Sequence, residues 1–208
     1  MKSVKTRFII FLLCVTLVGI TYGDEALEAI QRAKANYQAG NLSEAINELN
    51  YAVNQIQQQQ LEKYKTIFPA ALKGWQADEF NSDNAAMAMM GGGLSISRNY
   101  EKELAEGQDD YYYENSSIDI SIVSDSPLIS SIMMMFSNPM FLGGNKMVTI
   151  QGEKAIESKS EEGIPNELQF VIENRVIITV SAQNCSKDEL YAYANKIDFA
   201  KLKSFLKN

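Results

Sequence analysis

The densest cluster of reactive side chains is Asp109-Asp110 followed directly by Tyr111-Tyr112-Tyr113. Two carboxylates can share general acid and base work when a fold holds them about 5–9.5 Å apart across a substrate. Adjacent residues in a polar loop point in different directions and stay hydrated, so the ordinary reading is a surface loop whose rings cover part of a sheet. A recognition patch is the alternative, because exposed tyrosines favour interfaces. Histidine is absent from all 208 residues. Without it there is no Ser-His or Cys-His nucleophile pair, and the usual His and Cys zinc sites are excluded. Asp78, Glu79 and Asp83 are acidic enough for calcium but lack the alternating spacing of an EF-hand loop. Gly91-Gly92-Gly93 has no following Lys-Ser or Lys-Thr, so it is not a phosphate loop. No catalytic residue, cofactor or resident metal is therefore assigned.

Methionine is the most unusual residue in its placement. Apart from Met1, all eight fall between Met87 and Met147: Met87, Met89 and Met90, then Met133, Met134, Met135, Met140 and Met147. Flexible thioethers fill irregular core gaps, form adaptable apolar surfaces, or ligate Cu(I). The run from Pro127 to Leu142 bears on this choice. It is apolar on nearly every side, and such a helix is either buried or pressed against something apolar. Pro127 suits a helix start, and Pro139 should end or kink it. Leu128, Ile132, Met134, Met135 and Phe136, together with Tyr111, Tyr112 and Tyr113, form the candidate interaction surface.

The chain's start has the pattern of an export signal. Lys2, Lys5 and Arg7 precede an apolar run from Phe8 to Ile20, and the run exits through Thr21-Tyr22-Gly23. A basic start, a short apolar run and small residues at the exit define a cleavable leader. The run is shorter than the roughly 20 residues a membrane span needs. Leu13 stands where a lipid-modified Cys14 would require a small residue, so no lipid anchor is expected. Residues 1–23 are read as the signal peptide, and the mature chain should work in the periplasm or be secreted. The leader takes three of the 19 basic residues and none of the 26 acidic ones, which leaves a net charge of −10. That surface repels nucleic-acid backbones and gives no attraction to anionic lipid. Membrane contact is the disfavoured alternative. Cys185 alone then remains, so no internal disulfide can form and stability must come from packing.

Residues 24–66 read as two helices in an antiparallel hairpin. Ala26, Ile30, Ala33 and Tyr37 recur at helical spacing, as do Ala45, Leu49, Ala52 and Ile56, with Gly40-Asn41 between the sets. The run Ala33-x-x-x-Tyr37-x-x-Gly40-x-Leu42-x-x-Ala45-Ile46-x-x-Leu49-x-x-Ala52 resembles one tetratricopeptide repeat, covering residues 26–59. A solenoid of such repeats needs about three copies, and only one is present. The resemblance implies a helical hairpin and not a peptide groove.

Residues 75–206 read as an α+β domain with an antiparallel sheet and helices on one face. Ile118, Ile120 and Ile122 alternate with Ser117, Asp119 and Ser121, the pattern of a strand with one wet face. Strands are also predicted over 94–100, 146–151, 154–158, 168–172 and 176–180, with a hairpin turn at Glu173-Asn174-Arg175. Ser186-Lys187-Asp188-Glu189 is a capping box that opens a helix with Leu190, Tyr193, Ala194 and Ile197 on one face. A last helix is predicted from Phe199 to Leu206. The order of elements is similar in layout to the PsbP-like fold of exported accessory proteins.

The functional expectation is an exported, non-catalytic accessory protein that binds a protein partner or itself. The alternatives are a carrier of an apolar ligand or lipid, and an enzyme using carboxylates alone. Export with cleavage predicts a mature N-terminus at Asp24. Terminal sequencing of the protein from producing cells checks this, and a product starting at Met1 would refute cleavage.

Overall fold

The computed structural model describes residues 22–82, 92–103 and 116–207. The chain divides into two units, residues 1–56 and 57–208.

The first unit is a helical hairpin. α1 runs Tyr22–Gln38, and α2 begins at Leu42 and continues to Lys65, its last residues belonging to the second unit. Gly40 takes φ +81°, a left-handed value that costs a side-chain-free residue nothing. Its N–H bonds the Tyr37 carbonyl, and the Asn41 N–H bonds that of Asn36. Those two bonds are a Schellman stop, which satisfies carbonyls the ended helix would leave open.

The two helices meet through alanine. Ala26, Ala29 and Ala33 on α1 and Ala45 and Ala52 on α2 are buried. The Arg32 guanidinium lies 2.9 Å from Glu48 across the pair, and the Tyr51 hydroxyl donates to Glu25 at 3.3 Å. Ile30, Tyr37, Leu49 and Ile56, which share the helical spacing of these alanines in the sequence, are exposed. Helices joined through methyl groups approach closely, and larger side chains at neighbouring angles are displaced outward.

The second unit is α+β, as predicted. Its seven strands lie in the order β1-β2-β3-β7-β6-β5-β4, and every neighbouring pair is antiparallel. They are β1 (Trp75–Ala77), β2 (Leu94–Lys102), β3 (Ser117–Ser124), β4 (Lys146–Ile150), β5 (Glu153–Lys159), β6 (Pro165–Ile172) and β7 (Val176–Gln183). Alternation assigns the faces. Ile118, Ile120 and Ile122 of β3, Leu168, Phe170 and Ile172 of β6, and Val176, Ile178 and Val180 of β7 all join one core. α4 (Lys187–Ala194) and α5 (Phe199–Leu206) cover that core with Leu190, Tyr193, Ala194, Phe199 and Leu202. The predicted capping box is present: Ser186 accepts from the Glu189 N–H, and Glu189 accepts from the Ser186 N–H at 2.8 Å.

Turn chemistry follows the backbone. Glu173 and Asn174 both take positive φ, 50° and 54°, the twist that matches a two-residue β-hairpin. Gln151-Gly152 makes the same kind of turn between β4 and β5. The strain at Gln151 is offset by its side chain, whose amide bonds the carbonyls of Ala194 at 3.3 Å and Ile197 at 3.0 Å.

Between β3 and β4 lies α3 (Leu128–Ser137), followed by a 3-10 turn at Pro139–Leu142. Asn138 is extended, as a residue before proline prefers, and this ends the helix where Pro139 was expected to end it. α3 packs against β6, and its one buried residue is Ile129. Ile129, Ile156 and Ile177 are buried outside the main core and form a smaller apolar layer on the sheet's opposite face.

These burials set a contrast in stability. Phe170→Ala removes a fully buried ring that packs tilted against Phe199 at 5.0 Å and should cost about 3–5 kcal/mol. Met134→Asp changes an exposed position and should stay within about 0.5 kcal/mol of the parent. Urea unfolding of both variants measures the difference.

Candidate functional site

The candidate surface read from the sequence is only partly assembled. Tyr111, Tyr112 and Tyr113 lie outside the described residues, as do Asp109, Asp110, Asp83, Met87, Met89 and Met90. On α3, Leu128 is exposed, Ile132, Met135 and Phe136 are half-buried, and Met134 is 58% exposed. Met140 and Phe141 in the following turn are exposed too. The expectation that this segment is hidden from water therefore holds only for Ile129. The reason is geometric: α3 lies on the sheet with one side, so residues on its other side face solvent whatever their polarity.

Cys185 lies between β7 and α4. Its thiol donates to the carbonyls of Gln183 at 3.0 Å and Ser117 at 3.3 Å. Burial pushes its pKa up to about 11, with Glu189 adding to the rise. Such a thiol stays protonated near neutrality and is a poor nucleophile. Beside it is a depression of about 390 Å³, lined by Ser160, Glu161, Asn166, Gln183 and Asn184 among others. Ile164 and Ala182 line it too, so its wall mixes polar and apolar surface. Among the described residues, no group of three or more carboxylates and thiols could hold a metal ion. Asp78 of the expected acidic group instead takes a hydrogen bond from the Asn99 amide at 3.0 Å.

Glu157 on β5 is the most elaborate ionisable group. Its side chain is fully covered. The Tyr191 hydroxyl of α4 donates a short hydrogen bond to Oε2, and Lys187 Nζ lies 3.4 Å from the same oxygen. Lys146 Nζ of β4 lies 3.0 Å from Oε1, within ion-pair range but off the hydrogen-bond direction. The cover comes from these partners at the molecular surface and not from depth. Burial works to raise the carboxyl, but Tyr191 and the two ammonium groups outweigh it and leave it below the usual carboxylate range. The same contact and burial push Tyr191 up to about 12. A catalytic carboxylate must reach its substrate, whereas this one is closed off and ties β4, β5 and α4 together.

A broad apolar surface lies on the hairpin. On α2, Leu42, Ile46, Leu49, Val53 and Ile56 are between 42 and 57% exposed. On α1, Leu27, Ile30 and Tyr37 are exposed as well. At 3.6 residues per turn, both stripes lie about 100° round from the alanine seam in the same rotational sense. In antiparallel helices that rotation brings them to one face of the hairpin. Contiguous apolar faces of this kind mark interaction sites on soluble proteins. Leu42, Ile46 and Val53 were not among the residues assigned to a surface from the sequence. The signal was present in their 4-3-4-3 spacing, a period of 3.5 residues.

Glu157 yields a pH test. Because its folded-state pKa is lowered, its contribution is complete above the ordinary carboxylate range and is lost as pH falls through the lowered value. Glu157→Gln should cost about 1–3 kcal/mol at pH 7, since it leaves Lys146 and Lys187 without a counter-charge. The gap to the parent should narrow as pH falls below the ordinary carboxylate range. Unfolding free energies across pH 3–7 check this, and a gap independent of pH would refute it. Comparison of the chain with protein-family models, with curated proteins and with solved structures finds no match.

Proposed function

We propose that the protein is an exported, non-catalytic accessory protein whose helical hairpin is its binding surface for protein. The observation that carries this reading is the inverted hairpin, with alanine packed inside and leucine, isoleucine and valine facing out. Burying such side chains in a helix pair is the usual route to stability. A hairpin that exposes them gains nothing from them until another surface covers them. The export half rests on the basic and apolar leader pattern of residues 1–23. The tetratricopeptide-like run is consistent with it, since that motif is a helical hairpin used in contacts between proteins. No described helix is long and apolar enough to cross a membrane.

The rival readings have less support. The depression beside Cys185 carries Glu161 and Glu162 in a wall of mixed polarity, which suits an apolar ligand less well than an apolar chamber would. Glu157 is covered by its own partners and offers the carboxylate-enzyme reading no accessible acid.

Chemical cross-linking in producing cells, followed by purification, tests the reading. The parent chain should bring down a defined cross-linked protein species, counting a second copy of itself as such a species. Ile46→Asn with Val53→Asn should lose it while keeping its helical circular dichroism. An unchanged cross-linked set would refute the hairpin as the binding surface.

A further inference from the structure

We infer that the apolar face of the hairpin is covered by a second copy of this chain, the two hairpins packing face to face about a two-fold axis as a four-helix bundle. This rests on the reading of the hairpin as a binding surface and goes further by naming the partner.

Three observations select a second copy. The first is the pattern on α2. Leu42, Leu49 and Ile56 alternate with Ile46 and Val53 at steps of four and three. That is a heptad seam with leucine or isoleucine at one position and β-branched residues at the other. Seams of this kind pack knobs into holes against another helix of the same pattern. All five side chains remain exposed, so the α1–α2 contact does not use the seam.

The second observation is area. The eight outward side chains of the two helices expose on the order of 800 Å², which is what one partner buries in an interface of standard size. The seam is about 21 Å long at 1.5 Å per residue, too short for two isolated helices to hold. Two hairpins supply four helices and close the same layer as a bundle. The seam also ends within the first unit, because Gln60 and Lys63 occupy the next two heptad positions.

The third observation is charge. The chain is acidic, with a net charge of −7, so two copies repel each other at long range. The seam is built to avoid that repulsion at contact. Ser43, Asn50 and Gln57 border it on one side, and Ala45 and Ala52 on the other. A partner chosen by charge would need a charged rim, and heptad flanks are where such a rim is normally placed. An uncharged border suits a self-complementary, isologous contact, in which each residue meets its equivalent. Lys34 interrupts the α1 stripe between Ile30 and Tyr37. The α2 seam is therefore the axis of the contact, with α1 flanking it.

Sedimentation of the protein, purified with whatever N-terminus its producing cell leaves, tests the inference. A concentration-dependent dimer is expected, and raising salt should tighten it by screening the repulsion. Ile46→Asn with Val53→Asn should halve the mass or weaken the dimer at least tenfold, with helical circular dichroism retained. A parent chain that stays monomeric at all concentrations overturns the inference. So does a dimer that survives the folded double variant.

Hydroxyl-radical footprinting of the unmodified chain decides the matter if the variant loses helicity. Protection of Ile46, Leu49 and Val53 that rises with dimerisation supports the interface. Protection that is constant at every concentration overturns it, and would point to the leader or another segment of the same chain as the cover. A monomer that still cross-links a different protein through the hairpin face removes only this inference. A monomer whose cross-linked set ignores the double substitution removes the binding-surface reading as well.

Discussion

The α+β unit depends on one apolar layer, and Tyr193 stands at its centre. The ring packs edge-on to Trp75 at 5.2 Å and tilted against Tyr100 at 4.6 Å. Its hydroxyl accepts from the Leu72 N–H, and the Tyr100 hydroxyl donates to the Pro69 carbonyl at 2.8 Å. One helix near the C-terminus, the two strands at one sheet edge and the connection at 69–72 are thus fixed by three rings. Burying a ring this size brings a large apolar area out of water, and the hydroxyls avoid the cost of orphaned polar atoms. With Cys185 the only cysteine among the described residues, packing of this kind carries the fold without a covalent clamp.

The hairpin reverses that arrangement. Its inner contact is made of alanines, which bury little area each but let two helices come close. Its large apolar side chains are spent on the outside. The same hydrophobic term that closes the core of the α+β unit is therefore left unused on the hairpin until something covers it. On the reading proposed above, a face carried by an already folded helix pair needs no ordering step of its own, so less of the contact energy would be lost on association.

The ionisable groups divide along similar lines. Lys102 pairs with Glu189 at 2.6 Å and Arg175 with Asp125 at 3.0 Å, both at exposed positions where such pairs add little. Glu157 differs because two lysines and a tyrosine enclose it, so removing the carboxylate would strand charges that were placed to meet it. Asp119 on β3 is held above the ordinary carboxylate range by desolvation, on the sheet face opposite the main core. None of these groups combines an open approach with a second acid or base.

Much of the α+β unit could be read along the chain because its signals are local. The Ile118-Ile120-Ile122 alternation, the Ser186–Glu189 capping box and the Glu173-Asn174 turn each depend on residues within a few positions of one another. Backbone hydrogen bonding and side-chain period decide them without reference to the rest of the molecule. The helical hairpin was legible for the same reason, through Gly40 and the alanine spacing. What stayed hidden was which side of each amphipathic helix faces inward. Ala33 and Ile30, or Ala52 and Ile56, sit on overlapping arcs of one helix, and their spacing alone does not say which arc meets the neighbour. Only the approach distance of the second helix decides it, and close approach selects alanine. The exposure of Met134 and the burial of Ile129 were undecided on the same ground. An almost wholly apolar helix has no polar side to orient it, so its position on the sheet determined which residues reached solvent.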